Sequence, residues 1–70
     1  MQKTTMEILL NGTAHDVEAD NLADALNALG HGESVIATAV NGRFVPVAAR
    51  GDTALADGDE IEVVAPMQGG

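Results

Sequence analysis

The chain contains no cysteine, which excludes disulfide staples, thiolate metal sites and any thiol nucleophile of its own. That composition suits a reducing compartment, and the expected location is cytoplasmic. Basic residues are nearly as scarce: Lys3, Arg43 and Arg50 stand against 11 acidic residues, for a formal charge of −8. A phosphate backbone is bound by many lysines and arginines that release its counterions, so no nucleic-acid partner is expected. The acidic field instead favours solubility and fast capture by a basic protein surface. No apolar run approaches the roughly 20 residues that cross a bilayer, and Met1–Thr5 is too short and polar for a secretory signal; no membrane partner is expected. Tryptophan and tyrosine are missing, and Phe44 is the sole aromatic. It lies between Glu33 and Asp52, a stretch free of acidic residues that also holds Arg43 and Arg50.

What is present reads as one small α+β domain spanning residues 1–70. Such a length buries a modest fraction of its surface and depends on tidy local structure. Residues 1–5 read as a disordered lead-in, with Met6 a second candidate start. Met6, Ile8 and Leu10 alternate on one face of a first strand. Asn11-Gly12 predicts a two-residue hairpin, because both central positions of that turn need positive φ. The return strand, Thr13–Val17, then sets Val17 opposite Met6, Thr13 opposite Leu10 and the like-charged Asp16 opposite Glu7. Leu22, Ala25, Leu26 and Leu29 follow at helical spacing, with Asp20 or Asn21 as cap, Asp24 in the first turn and Gly30 as the stop. So short a helix has to pack on a sheet. Val35–Val40 is a third strand, Asn41-Gly42 a second hairpin and Arg43–Val45 a short edge strand closed by Pro46. Val47–Ala56 reads as loop, Asp57-Gly58 as a turn and Glu60–Val64 as a last strand with Ile61 and Val63 on one face. One helix thus crosses a mixed sheet of about five strands.

Residues able to do enzyme chemistry do not converge. His15 alternates within a strand and His31 lies in a loop, neither with spaced metal-ligand partners, so no metal site is expected. Ser34 has no surrounding motif of an activated nucleophile. Asp57, Asp59, Glu60 and Glu62 are close in sequence, but alternation against Ile61 and Val63 makes them a solvated face. The turn glycines lack phosphate-loop spacing.

The Ala65-Pro66-Met67-Gln68-Gly69-Gly70 ending is the candidate reactive group. Pro66 stops the last strand, leaving residues 66–70 as an extended tail. Five residues at roughly 3.3–3.6 Å each reach on the order of 17 Å, enough to enter a deep cleft. Gly69 and Gly70 let the backbone pass where a β-carbon would clash. A frayed, inert end is the alternative.

Three ordered blocks carry a family resemblance. They are Ala39-Val40-Asn41-Gly42 with Val45-Pro46, then Leu55 through Asp57-Gly58-Asp59 to Ile61-Glu62-Val63-Val64, then Pro66 with Gln68-Gly69-Gly70. Over Met6–Gly70 the chain resembles the ThiS family of thiamine-biosynthesis sulfur carriers, ubiquitin-like β-grasp domains. It departs where many relatives have arginine after the Val-Pro pair, for here Val47 stands. The resemblance implies a carrier rather than an enzyme, with no cofactor bound by this chain. The Gly70 carboxylate would be adenylated by a ThiF-like adenylating enzyme that uses ATP and magnesium. Sulfur from donor proteins would then displace AMP, and the Gly70 thiocarboxylate would serve thiazole synthase (ThiG). The same fold and tail chemistry occur in the small subunit of molybdopterin synthase, usually longer, richer in aromatics and often ending Val-Ala-Gly-Gly. Another β-grasp sulfur carrier, a ubiquitin-like modifier and a plain binding module are further alternatives.

Met67, Gln68 and Gly69 are the expected partner-binding residues of the tail. With Asn41-Gly42 as a two-residue turn, Phe44 falls opposite Ala39 and Val45 opposite Thr38. If Ile36, Val40 and Val45 face the helix, Phe44 faces outward with Leu9 and Val64, as an apolar docking patch flanked by Arg43 and Arg50. The competing reading makes Phe44 core with Ala37 and Ala39.

Overall fold

The computed structural model describes residues 5–31 and 37–64. The elements are β1 (Thr5–Leu10), β2 (Thr13–Glu18), α1 (Leu22–Ala28), β3 (Ala37–Val40), β4 (Arg43–Val45), a 3-10 helix (Val47–Asp52) and β5 (Glu60–Val64). Thr5, assigned to the lead-in by sequence, instead pairs with Glu18 at the start of β1. Val35 and Ile36, expected to open β3, lie outside the described residues.

Both Asn-Gly pairs form the expected tight turns, with φ of 49° and 89° at Asn11 and Gly12 and 51° and 84° at Asn41 and Gly42. Positive φ at both central positions matches the right-handed twist of the strands they join. The first turn sets the predicted register: Met6 opposite Val17, Glu7 opposite Asp16 and Leu10 opposite Thr13. The five strands are ordered β2-β1-β5-β3-β4. β5 enters the centre parallel to β1 and antiparallel to β3. β4 is an edge strand, as Pro46 requires, since proline has no N–H for a further ladder.

α1 begins at Asn21, whose side chain accepts from the Asp24 N–H at 2.9 Å. Leu22, Ala25 and Leu26 turn inward, and Gly30 ends the helix with φ of 84°. Seven residues are too few to hold a helix in water, so α1 persists through packing on the sheet. The core between them comprises Met6, Ile8, Leu10, Val17, Leu22, Leu26, Val45 and Ile61 with small alanines, and Leu29, Val40, Leu55 and Val63 pack around it. One helix over a mixed sheet whose first and last strands lie side by side is the β-grasp arrangement.

The segment read as loop after Pro46 contains the 3-10 helix. Pro46, with φ of −68°, starts it, and the Ala49 N–H donates to the Pro46 carbonyl at 2.9 Å. A single tight turn has no hydrophobic period of its own, so alternation along the chain did not reveal it. Its consequence is to carry Arg50 inward. Only 7% of Arg50 is exposed, and its Nε donates to Thr38 Oγ1 at 3.2 Å, while Thr38 Oγ1 donates to the Val45 carbonyl at 2.8 Å. Arg50 therefore lies on the helix side of the sheet and does not flank an outer patch, correcting the sequence expectation.

Candidate functional site

Alternation along each strand leaves the sheet with an outer face opposite α1. Glu7 and Leu9 of β1, Ala14, Asp16 and Glu18 of β2, Glu60, Glu62 and Val64 of β5, Ala37 and Ala39 of β3, and Phe44 of β4 occupy it. Phe44 is 69% exposed and Val64 58%, which removes Phe44 from the core. Val47, 65% exposed, stands apart, but Phe44 and Val64 border the same depression. Ala37, Thr38, Ala39, Phe44, Glu62 and Val64 line an open depression of about 250 Å³. The register explains it: Phe44 lies opposite Ala39, Ala39 opposite Glu62, and Ala37 opposite Val64. Two alanines in the middle strand leave a hollow that the larger side chains on either side surround.

The structure thus brings Phe44 and Val64 together. Leu9 shares their face but stands in register with Glu60 and is not among the lining residues. Met67, Gln68, Gly69 and Gly70 lie outside the described residues. Val64, the residue from which the chain continues toward them, is itself part of the depression.

The electrostatics differ from the sequence expectation. The acid-free stretch from residue 34 to residue 51 does not produce an acid-free surface, because β5 inserts beside β3 and sets Glu62 against Ala39. Glu62 is the charged lining residue that the sequence reading missed, with Ala37, Thr38 and Ala39 beside it. Its signal was the central place of β5, which no alternation pattern along the chain encodes. Farther across the face Glu60, Glu7, Asp16 and Glu18 form an acidic field, so the outer face is apolar toward β4 and acidic toward β2. Arg43, exposed on the β4 edge, is paired in register with Val40 on the inward side.

Asp57 and Asp59 are engaged in shaping turns. Asp57 Oδ1 accepts from the Glu7 N–H at 2.7 Å, Asp59 Oδ2 from the Ala56 N–H at 2.8 Å, and Asp59 Oδ1 from Asn41 Nδ2 at 3.0 Å. Among the described residues no three His, Cys, Asp or Glu side chains gather to hold a metal ion. His15, on β2 opposite Ile8, is half-buried, and His31 is half-buried beyond α1. Among the described residues no helix is long and apolar enough to cross a membrane.

This arrangement suits recognition: a sheet face with an apolar hollow, an acidic flank and, on the hollow itself, Val64, the last described residue before the Gly69-Gly70 ending. No curated protein and no solved structure gives a match to the chain. A model of the ThiS family does match, over residues 8–70, and the chain therefore belongs to that family of small β-grasp sulfur carriers.

Proposed function

We propose that the chain carries sulfur for thiazole formation in thiamine biosynthesis, as a thiocarboxylate on Gly70. The observation that carries this reading is the extent of the family match, which includes the Gly69-Gly70 pair. A carboxylate is a poor electrophile. An activating enzyme of the ThiF type, holding ATP and magnesium, would convert it to an acyl-adenylate by attack of the Gly70 carboxylate on the α-phosphate. The terminal sulfur of a donor protein's persulfide then displaces AMP to give an acyl disulfide. A second thiol of the donor system attacks the donor's own sulfur, closing a disulfide there and releasing the thiocarboxylate. The resulting thiocarboxylate sulfur is the nucleophile handed to thiazole synthase. Nothing in this sequence of steps needs a side chain of the carrier, in keeping with the absence of cysteine. The low aromatic content and the Met67-Gln68-Gly69-Gly70 ending support thiazole synthase over molybdopterin formation as the client.

The outer sheet face is the docking surface for the activating enzyme in this reading. Its chemistry asks for an apolar side chain that fills the hollow between Phe44 and Val64, with basic residues set against Glu62, Glu60 and Glu7. Docking there brings the chain end, which continues from Val64, to the enzyme's cleft.

Intact mass after incubation with ATP, the activating enzyme and a sulfur donor tests the reading. Exchange of one oxygen for sulfur is the expected result, and deletion of Gly70 abolishes it while leaving the unfolding transition in place. Conjugation to lysine-bearing proteins would mark a modifier instead. Sulfur exchange that persists in a chain ending at Gly69 would refute the role of Gly70.

A further inference from the structure

β1 ends at Leu10, whereas β5 runs on to Val64. The parallel ladder between them has the Leu9 N–H donating to the Asp59 carbonyl and the Asn11 N–H to the Ile61 carbonyl, each at 2.9 Å. One more rung would need backbone groups of β1 beyond residue 11, but there the chain reverses through the Asn11-Gly12 turn. The Asn11 side chain supplies the rung instead. Its Oδ1 accepts from the Val63 N–H at 3.0 Å, and its Nδ2 donates to the Val63 carbonyl at 3.4 Å. A single carboxamide thus satisfies both main-chain groups of the residue before Val64. The turn alone does not demand this side chain, since asparagine, aspartate and glycine all serve at its first central position. Only the carboxamide offers both a donor and an acceptor.

Asn41 clamps the other end of the same strand. Its Oδ1 accepts from the Glu60 N–H at 3.0 Å, and its Nδ2 donates to Asp59 Oδ1 at 3.0 Å. The two Asn-Gly turns therefore hold β5 at its entry and at its exit.

We infer that Asn11 is a positioning residue for the reactive tail: its carboxamide fixes Val63 and so sets the direction in which the chain leaves the sheet toward Gly70. The inference rests on the sulfur-carrier reading above. Without the clamp, β3 is the only strand beside the last two residues of β5, through the Thr38–Val63 and Ala37–Val64 pairs, with the Val63 side chain packed on the core. The chain toward Gly70 continues from Val64, so the placement of Val63 sets the point from which it starts. Misplacement by even about 1 Å is costly in a reaction governed by orientation.

Asn11→Gly tests this, because glycine keeps the positive φ of the turn and removes only the amide. Asn41→Gly is the matched control at the entry end, and Asn11→Asp keeps the acceptor while losing the donor. With the activating enzyme and ATP, pyrophosphate release by Asn11→Gly is expected to show kcat lowered about tenfold, with KM within about twofold because the docking face is intact. Asn11→Asp falls between it and the wild type, and Asn41→Gly keeps kcat within about twofold. Wild-type kcat in Asn11→Gly, or an equal loss in Asn41→Gly, overturns the inference. Failure of the sulfur-carrier reading looks different, because the wild-type chain itself then releases no pyrophosphate. The clamp is judged in that case by the backbone order parameter and amide exchange of Val64. Both loosen in Asn11→Gly if Asn11 holds the exit, and unchanged values overturn it.

Discussion

The two faces of the sheet are made by the same five strands and differ in almost every other respect. On the helix side Ile8, Leu22 and Ile61 are fully buried, and even the cation there, Arg50, is shut away from water. On the outer side Phe44 and Val64 stand exposed beside Glu62, and no element of the described chain covers them. A small domain with so little apolar surface to invest would bury its one aromatic if stability were the only demand. That Phe44 points outward, over two alanines that leave a hollow, separates the residues that hold the fold from those left open on the proposed docking face. Residues of one strand are divided the same way: Ile61 is sealed, while Glu62 lies in the depression.

Substitutions on the two faces should therefore separate stability from recognition. The largest effect belongs to the inner face. Ile8→Ala leaves a cavity under α1 and is expected to cost about 3–4 kcal/mol in urea unfolding, a large share of the stability of so small a domain. A loss below about 1 kcal/mol would break the distinction from that side. Phe44→Ala comes next and acts on the partner instead. KM for the activating enzyme is expected to rise about tenfold, equivalent to about 1.4 kcal/mol, with kcat and the melting temperature nearly unchanged. A loss of several kcal/mol of stability with KM intact would place Phe44 in the fold rather than the interface.

The smallest effect sharpens the role of the buried cation. Arg50 Nη2 is buried without a hydrogen-bond partner, whereas Thr38 Oγ1 retains its bond to the Val45 carbonyl if Arg50 is replaced. Arg50→Met keeps most of the volume and removes the unsatisfied group, so its stability should stay within about 1 kcal/mol of wild type. Loss of more than about 2 kcal/mol in the same unfolding measurement would show that the guanidinium contributes more than its stem. Docking kinetics should not respond to this change, because Arg50 lies on the face away from the hollow.

Much of this architecture is legible along the chain. The two Asn-Gly pairs fixed both hairpins and their registers, because only residues tolerant of positive φ suit those positions. The apolar stripe Leu22-Ala25-Leu26-Leu29 identified α1, and the β1 alternation identified its buried face. Phe44 was placed outward by counting from the turn, and its register opposite Ala39 is as expected. The burial of Arg50 was not legible, since it depends on a 3-10 turn too short to carry a pattern. The approach of Glu62 to Phe44, and the separation of Leu9 from that patch, depended on which strands neighbour one another.

By itself the sequence determined the strands, the α-helix, the hairpin registers and the family, because turn chemistry and alternation are local and the family's blocks lie in linear order. Only the tertiary structure decided that β5 enters between β1 and β3. That placement puts an acidic residue in the apolar hollow and sets the amide of Asn11 on Val63, while the 3-10 turn brings Arg50 inward against Thr38. Each of these joins residues far apart in the chain, through strand order and side-chain reach that local periodicity does not encode.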